Sequence, residues 1–455
     1  MNNSVRAHRS MLITLTMASL ICSIYSGCEN ENLIQATARS RPVSDFSAEV
    51  ATSWFNLTLK LVKESPGFSP PVASRAFGYA GVTLYEAVVP GIPTHQSLVG
   101  QLNSLSFLPA CEPDKLYHWP TVANSAMAGI ARRLFANASE PNKAAMTDLE
   151  TQLANNFKAT LDSAVFARSV ARGKVVADAI FAWSALDGGH EGYFRNFPQD
   201  YNPPVGPGLW EPTPPAFSRA LQPYWGNNRP FVLASGSACM PGAPPAYSEQ
   251  PGSAFYNEAL EVYNTLKNLT PEQRDIAFFW SDDPGVSATP PGHSISILTQ
   301  VIQQEGYKLD IAAEAYAKIG MAVADAFIAC WRTKYVYNLL RPITFIQKVI
   351  DSTWTASNYP LVTPPFPEYT SGHSVQSSAS MQVLTDLFGN NFAFTDHTHD
   401  ARGLAPRSFS SFFQAAGEAG ISRLYGGIHF RSAIIVGVEQ GKCIGEKISA
   451  LTFRK

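Results

Sequence analysis

The stretch TPPFPEYTSGHS, residues 363–374, runs from a proline-rich segment directly into a predicted helix. Apolar residues at helical spacing follow it, and Gly389 supplies the stop signal of that helix. The first N–H groups of a helix have no partner within it and carry partial positive charge. We therefore expect Ser371, Gly372 and His373 to form a cradle for an anion. The apolar residues of the helix are Val375, Ala379, Val383 and Leu387.

Two cationic clusters flank this helix start. The stretch WRTKYVYNLLRP contributes Lys334 and Arg341, and SRLYGGIH contributes Arg423 and His429. Guanidinium groups donate in pairs to the edges of oxyanions, and an ammonium group acts as a point charge. Taken with the helix start, these residues predict a site for a tetrahedral oxyanion within residues 331–433.

Helical periodicity dominates the chain from Ser44 onward, and few segments alternate with the period of a strand. We therefore predict an all-α fold of helical bundles joined by long Pro/Gly-rich loops. The longest loop, residues 187–252, is rich in aromatic residues and is expected to be ordered and functional. Besides a helix that begins near Ser44, helices are expected near 72–89, 120–136, 143–156, 160–185, 253–267, 271–280, 309–335, 373–388, 409–427 and 430–449.

The composition excludes one class of partner. The chain has 455 residues, of which 45% are hydrophobic and only 15% charged, so extensive burial is expected. Its 34 basic and 36 acidic residues give a net charge of -2, without a basic stripe. The sequence therefore predicts no nucleic-acid binding.

The N-terminus has the pattern of an export signal. Arg6 and Arg9 precede an apolar run, 11–21, that is too short to span a bilayer. Ser26-Gly27 leads into Cys28, which resembles a bacterial lipoprotein signal, with an ordinary signal peptidase site as the alternative. We expect a periplasmic or cell-surface protein, anchored to a membrane by lipid on Cys28. The predicted organisation is a signal peptide (1–27), a tether (28–43) and a single domain (44–455).

The four cysteines beyond Cys28 are scattered and include no C-x-x-C pair, which disfavours a zinc site. An exported protein can form a disulfide, and Cys111 and Cys239 are the candidates because both lie in loop-like segments. Cys330 lies on an apolar helical face and is expected to be a packed thiol.

The order K-x6-RP, SGH and SR-x5-H resembles a superfamily with three branches: vanadium-dependent haloperoxidases, type 2 phosphatidic acid phosphatases and bacterial acid phosphatases. TPPFPEYTSGHS is most similar to the haloperoxidase branch, and so is the helical N-terminal half that begins near SPPVASRAFGYAGVTLYEA. The resemblance covers approximately residues 45–450. It implies an all-α bacterial enzyme whose cofactor is vanadate.

The resemblance also implies roles for the site residues. His429 would bind the vanadium, and His373 would act as the acid–base catalyst. Lys334 would polarise bound peroxide, and Asp283 in FFWSDDPG would steady Arg423. Trp331 and Phe366 would line the halide pocket, with simple core packing as the alternative. The residues that would bind the vanadate oxygens are Lys334, Arg341, Ser371, Gly372 and Arg423.

The implied reaction is the oxidation of a halide by hydrogen peroxide to hypohalous acid, which can halogenate small organic acceptors. The aromatic pair of Trp331 and Phe366 suits a large, polarizable anion, so iodide or bromide is favoured. Oligomers are common among members of this family, so a homo-oligomer is possible.

Two positions depart from the family pattern. Thr370 replaces a common Pro, and Ala433 replaces the Asp that usually orients the imidazole matching His429. A phosphatase with a phosphohistidine at His429 needs that carboxylate, whereas a peroxidase is expected to manage with a backbone carbonyl. Two alternatives stay open: a phosphomonoesterase acting through His429, and a non-catalytic oxyanion-binding lipoprotein.

Two polar features have plainer interpretations. The segment 396–400 contains Asp396, His397, His399 and Asp400, and a polar loop is expected there rather than a metal site. His293 lies in a Gly-rich segment and shows no partner in the sequence.

Overall fold

The computed structural model of the protein describes residues 40–455. Within that range the chain forms thirteen helices and one antiparallel pair of short strands, which confirms the all-α prediction. The predicted signal peptide, Cys28 and most of the tether lie outside the described residues. The helices are α1 (Glu49–Glu64), α2 (Pro70–Val88), α3 (Trp119–Leu134), α4 (Glu140–Lys158), α5 (Ser163–Ser184), α6 (Ala254–Lys267), α7 (Pro271–Phe279), α8 (Thr289–Glu305), α9 (Leu309–Tyr337), α10 (Pro342–Phe345), α11 (Gly372–Phe388), α12 (Phe412–Tyr425) and α13 (Arg431–Ser449).

Helix α9 forms the centre of the molecule and is buried along nearly its whole length. It packs against α2 on one side and α11 on another. The α2–α9 contact is close because Gly81 has no side chain: a Cβ there would lie 2.3 Å from the carbonyl oxygen of Tyr316. Gly441 serves α13 and α11 in the same way, since its Cβ would lie 2.3 Å from the carbonyl oxygen of Val375. Tight packing fixes the helices that carry the predicted site.

Helix α8 was not predicted. It begins Thr-Pro-Pro-Gly, a composition typical of a loop, yet proline fits the first helical turn because the N–H it lacks has no partner there. His293 is therefore a buried helical residue. The expectation that it lies in a loop without partners is wrong.

The strands β1 (Phe394–Asp396) and β2 (Arg407–Phe409) pair antiparallel, with Phe394 opposite Phe409. Three residues are too few to show a strand period in the sequence. The segment 396–400, for which the sequence predicts a polar loop, begins with the last residue of β1. It carries two buried side chains, Asp396 and His399, which point into the protein rather than toward solvent.

Hydrogen bonds attach the loop 187–252 to the helical core. The carboxylate of Asp325, fully buried on α9, accepts three backbone N–H groups from the loop at 2.6, 2.9 and 3.0 Å. These bonds satisfy a buried charge and at the same time fix the loop's path. The donors are Phe231, Val232 and Leu233.

A disulfide joins Cys239 in this loop to Cys443 on α13, with a Cα–Cα distance of 6.0 Å. The expected pairing of Cys111 with Cys239 is wrong, because the partner of Cys239 comes from a helix 204 residues away. Cys111 is a thiol at intermediate depth, and Cys330 is a buried thiol, as expected. In residues 40–455 we find no helix that is both long and apolar enough to cross a membrane.

Candidate active site

A cavity of about 280 Å³ lies where the start of α11 meets the end of α12. The long loop and the proline-rich stretch before α11 complete its wall. Three predicted residues, Lys334, Arg341 and Ser371, are buried but do not line the cavity. The predicted residues that do line it are Asp283, Trp331, Phe366, Gly372, His373, Arg423 and His429.

His429 is held by a carboxylate that the sequence analysis missed. Its Nδ1 lies 2.8 Å from Oε1 of Glu368, which also accepts the N–H of Phe430 at 2.8 Å. Donation from Nδ1 leaves the lone pair of the neutral ring on Nε2. Burial, and secondly the charge of Arg341, holds the pKa of His429 well below its usual range, so the ring is neutral.

Glu368 therefore fills the role expected of an Asp at position 433. Ala433 is fully buried, and its carbonyl accepts the N–H of Ser371 at 3.1 Å, so it does not orient His429. The sequence analysis expected a backbone carbonyl as the partner of His429. The partner is instead the side chain of Glu368, which precedes His429 in the chain, whereas position 433 follows it. The signal was available, because Glu368 is the one acidic residue in TPPFPEYTSGHS.

Lys334 lies behind the cavity wall. Its Nζ donates to the carbonyl oxygens of Pro367 (3.0 Å), Glu368 (2.9 Å) and Thr370 (2.5 Å). An ammonium group has three hydrogens, so all of its donors are in use. Burial lowers the pKa of Lys334 to about 7. To contact an anion directly, Lys334 must release one of these carbonyls.

Arg341 uses two of its three guanidinium nitrogens to donate hydrogen bonds. Its Nε donates to the carbonyl of Phe366 at 2.8 Å, and its Nη1 donates to the carbonyl of Ile428 at 2.7 Å. Nη1 also lies 3.2 Å from Nε2 of His429. Nη2 is buried and has no hydrogen-bond partner among the described residues. Burial lowers the pKa of Arg341 to about 10, with the Glu368 carboxylate opposing, so the guanidinium stays charged at neutral pH.

Arg423 is anchored by the end of α7. Its Nη2 donates to the carbonyls of Ala277 (3.2 Å) and Trp280 (2.7 Å), which belong to the partly negative C-terminus of that helix. Asp283 is exposed and is not among the hydrogen-bond partners of Arg423 within residues 40–455. Its role in steadying Arg423 remains a prediction that rests on charge alone.

His373 lies at the start of α11, where the hydroxyl of Ser371 caps the helix by accepting the N–H of Ser374 at 3.3 Å. The ring faces the carbonyl of Trp280, while its Nε2 is buried without a partner in the described chain. Burial first, and the charge of Arg423 second, holds the pKa of His373 well below its usual range. The ring is therefore a neutral base with an unoccupied nitrogen.

The two predicted halide-pocket residues are neighbours. The rings of Trp331 and Phe366 lie 4.9 Å apart and both line the cavity. The indole N–H of Trp331 donates to the carbonyl of Leu221 at 3.2 Å, which fixes that ring against the long loop. Arg341 and Lys334 lie over the Phe366 ring, at 4.8 and 5.1 Å from its centre. An anion beside this ring would be near two positive charges.

A second buried polar cluster lies next to the cavity. His293 contacts Asp282 at 2.7 Å through Nδ1 and Asp396 at 2.6 Å through Nε2. Burial alone would lower the pKa of His293, but the two carboxylates outweigh it and raise that pKa to about 10. Nε2 of His399 lies 3.3 Å from Oδ1 of Asp282. The cluster is thus an imidazolium held between carboxylates.

The same cluster contains three groups within reach of a common metal ion, Asp282, His293 and His399. The hydrogen bonds disfavour that use. Arg402 donates to Nδ1 of His399 at 3.3 Å, which places the ring proton on Nε2, the nitrogen that a metal would need. Both nitrogens of His293 already donate to carboxylates.

Comparisons with known proteins identify the family of this chain. The solved structure of a bacterial vanadium-dependent iodoperoxidase matches 90% of this chain and 98% of its own, with 39% identity and a TM-score of 0.81. The chain belongs to the vanadium-dependent haloperoxidase family. The family model described as the VCPO second helical-bundle domain matches residues 314–454 of this chain.

More distant relatives share less of the chain. Vanadium chloroperoxidase of Curvularia inaequalis is 21% identical over 387 residues, or 70% of this chain. This haloperoxidase family member spans 61% of the length of that relative. A holo-type bacterial vanadium-dependent chloroperoxidase has 16% identity and a TM-score of 0.66 over 85% of this chain and 92% of its own, and so shares the fold.

The residues of this site fit an oxyanion such as vanadate. Arg341 Nη2 and His373 Nε2 are buried and have no hydrogen-bond partner within residues 40–455, and leaving each of them unpaired costs free energy. His429 presents a neutral nitrogen whose tautomer is fixed by Glu368, as a metal ligand requires. The match between the site and vanadate therefore rests on the hydrogen-bonding and metal-binding atoms of these side chains.

Proposed function

We propose that this protein is an enzyme, a vanadium-dependent haloperoxidase that oxidises a halide with hydrogen peroxide, with iodide or bromide favoured. The observation that carries the proposal is the pairing of His429 with Glu368, which directs a neutral imidazole nitrogen toward a cluster of buried cations. The 39% identity to a bacterial iodoperoxidase supports it.

Vanadate is the proposed cofactor. His429 would bind it through Nε2, and Arg341, Ser371, Gly372 and Arg423 would hold its oxygens. The positive charge of Lys334 would add to theirs. Bound vanadate supplies a Lewis acid that activates peroxide without changing its own oxidation state.

The chain's own residues handle the proton and the halide. His373, neutral and with Nε2 unoccupied, can accept a proton from hydrogen peroxide. Trp331 and Phe366 would place the halide beside the cations. In the overall reaction the halide loses two electrons, the O–O bond of peroxide breaks, and one proton is taken up. The products are hypohalous acid and water.

The test is a peroxidase assay on purified protein after vanadate loading, with iodide, bromide and chloride in turn. We expect vanadate-dependent oxidation, fastest with iodide or bromide, and its loss in His429→Ala. A phosphate ester is assayed in parallel, because Glu368 gives His429 the carboxylate that a phosphohistidine enzyme also needs. Ester hydrolysis by the protein before vanadate loading, with no halide oxidation by the folded and vanadate-loaded protein, would reverse the assignment.

We also infer that the protein is exported and anchored by lipid on Cys28. The Cys239–Cys443 disulfide supports an oxidising compartment, where such bonds persist. Metabolic labelling with a fatty acid should mark the wild-type protein and not Cys28→Ser. Labelling of both would contradict the anchor.

A further inference from the structure

Two side chains of the site share one backbone carbonyl, that of Trp280. Nη2 of Arg423 donates to this oxygen at 2.7 Å. The ring of His373 faces the same oxygen, and its Nε2 has no partner within residues 40–455, so the nitrogen that faces the oxygen is Nδ1. A carbonyl can only accept, so Nδ1 carries the proton and Nε2 carries the lone pair. The position of this carbonyl therefore influences both the tautomer of His373 and the direction of Arg423.

The indole of Trp280 is held by two contacts outside the cavity. Trp280 follows α7 directly, is 2% exposed, and is not among the described residues that line the cavity. Its ring stacks on that of His293, with centroids 4.4 Å apart and an angle of 16° between the planes. Its indole N–H donates to Oε1 of Glu418 at 3.0 Å. The indole is thus held on its face and at its edge.

Both contacts come from charged groups that are themselves fixed. His293 lies between the carboxylates of Asp282 (2.7 Å) and Asp396 (2.6 Å). Against the effect of burial, these carboxylates raise the pKa of His293 to about 10, so a cation lies on the face of the indole, an arrangement that is favourable in a buried site. Glu418 accepts from Nε of Arg407 at 2.6 Å. The surroundings of the indole therefore leave it little freedom to move.

Asp282 restrains the same segment a second time. Its carboxylate accepts from the hydroxyl of Ser287 at 3.0 Å as well as from His293. Its φ of 50° lies in the left-handed region, which Asp tolerates better than most residues with a side chain. His293 thus contacts the segment 280–282 twice, by stacking on Trp280 and by a hydrogen bond to Asp282. The carbonyl of Trp280 lies within this doubly held segment.

We propose that Trp280 is a positioning residue, whose indole, held by His293 and Glu418, places the carbonyl that orients His373 and Arg423. The proposal rests on the proposed haloperoxidase function, in which His373 accepts a proton and Arg423 holds an oxygen of the cofactor. Hydrogen bonds weaken steeply as their angle worsens, so a displaced carbonyl would let the His373 ring turn and adopt its other tautomer. Trp280 acts only through these two side chains.

The first test determines the tautomer of His373 in protein free of vanadate, by NMR of the ring nitrogens of isotopically labelled histidine. We expect the wild type to carry the proton on Nδ1, and His373→Gln identifies the signals. Trp280→Leu removes both the ring face and the indole N–H. It should raise the fraction of the other tautomer by about three- to tenfold, the effect of weakening one hydrogen bond. An unchanged fraction would overturn the proposal.

Trp54→Leu is the matched control, because Trp54 is also buried and its indole N–H also donates to a side-chain oxygen, that of Asn124 at 2.8 Å. It should lower the unfolding temperature and leave the tautomer of His373 unchanged. Equal tautomer changes in Trp54→Leu and Trp280→Leu would indicate general loosening and overturn the proposal.

Trp280→Phe keeps an aromatic face for His293 but lacks the N–H that Glu418 accepts. Its tautomer ratio should lie between those of the wild type and Trp280→Leu. If Trp280→Leu does not fold, Trp280→Phe decides the test, and a ratio equal to that of the wild type would then overturn the proposal.

The second test uses vanadate-loaded protein. In Trp280→Leu we expect vanadate affinity, measured by equilibrium dialysis, to fall by about three- to tenfold because Arg423 is less well directed. The kcat for iodide oxidation should also fall, while the KM for iodide stays near the wild-type value because Trp331 and Phe366 are unchanged.

The two tests separate this proposal from the proposed function. A wild type without halide oxidation, combined with the expected tautomer change in Trp280→Leu, would contradict the haloperoxidase function and leave the positioning role of Trp280 standing. Halide oxidation by the wild type, combined with an unchanged tautomer and unchanged vanadate affinity in Trp280→Leu, would overturn the positioning role and leave the proposed function standing.

Discussion

Nδ1 of His429 lies 2.8 Å from the Glu368 carboxylate, although the two residues are 61 positions apart in the chain. The usual arrangement in this family, as the sequence pattern implies it, places the carboxylate one helical turn after the histidine. Here Ala433 occupies that place and Glu368 approaches from the segment before α11. The imidazole keeps a carboxyl partner, which comes from a different part of the chain.

Replacing that carboxylate should weaken cofactor binding. In Glu368→Gln the ring of His429 loses its carboxyl partner and its Nε2 becomes less basic. We expect vanadate affinity to fall by about 10–100-fold, the usual cost of losing such a partner. Equilibrium dialysis of vanadate measures it. Glu258→Gln is the control, because Glu258 holds the neighbouring Ser432 rather than His429. Equal affinities in the two variants would remove Glu368 from this role.

Phe366 should influence the choice of halide. An anion favours the positive edge of an aromatic ring, and a large halide gains most from dispersion. We expect Phe366→Leu to raise the KM for iodide by about three- to tenfold, as a loss of roughly 1 kcal/mol would. The KM for peroxide should stay near the wild-type value. Phe68→Leu, a buried ring stacked on Phe135, is the control for general loosening. A change confined to the KM for peroxide would contradict the assignment.

The disulfide should stabilise the fold more than it affects the chemistry. It closes a loop of 204 residues between the long loop and α13. Removing it in Cys239→Ser should cost about 2–4 kcal/mol of unfolding free energy. Urea unfolding gives this value, with Cys111→Ser as the control because Cys111 forms no disulfide within the described part of the chain. Equal midpoints for both variants would show that the bond contributes little.

His293 should make stability depend on pH. Its pKa is raised to about 10 in the folded protein, above the ordinary value of 6.5. The stabilisation is therefore complete below pH 6.5 and is lost as the pH rises through about 10. His293→Gln leaves two buried carboxylates short of a cation and should cost about 3–5 kcal/mol at pH 6. The difference from wild type should narrow toward pH 10.

Urea midpoints at pH 6, 8 and 10 measure this effect. His190→Gln, which changes a histidine on the partly exposed loop, should parallel the wild type. A gap that is constant across the three pH values would mean that His293 is not charged in the folded state.

Much of the fold could be predicted because helical periodicity is a local property. The prediction of a helix over 309–335 matches α9, and that over 373–388 matches α11 to within two residues. Helix α8 was missed because its proline-rich first turn is a loop-like signal when viewed without its neighbours. The strand pair was missed because its pairing joins residues more than ten positions apart.

The site was predictable in part for the same reason. Local motifs identified Arg423, His373 and His429, which the structure brings to one cavity. Glu368 and the His293 cluster escaped because their partners lie far along the chain, and only the packed fold brings them together. The direct contact predicted for Lys334 with an anion remains a prediction.

Lys334 binds the carbonyl oxygens of Pro367, Glu368 and Thr370 with all three of its ammonium hydrogens. The segment so held presents both Glu368 and the capping residue Ser371. Lys334 therefore contributes both to the shape of this segment and to the positive charge near it, so a substitution at position 334 changes the two together. A neutral residue at position 334 would release the segment 367–370 from these hydrogen bonds and would also remove the positive charge of the lysine. In a directed-evolution experiment, substitutions at position 334 should therefore not change anion preference in small steps. Such changes should arise first at Arg341 or Arg423.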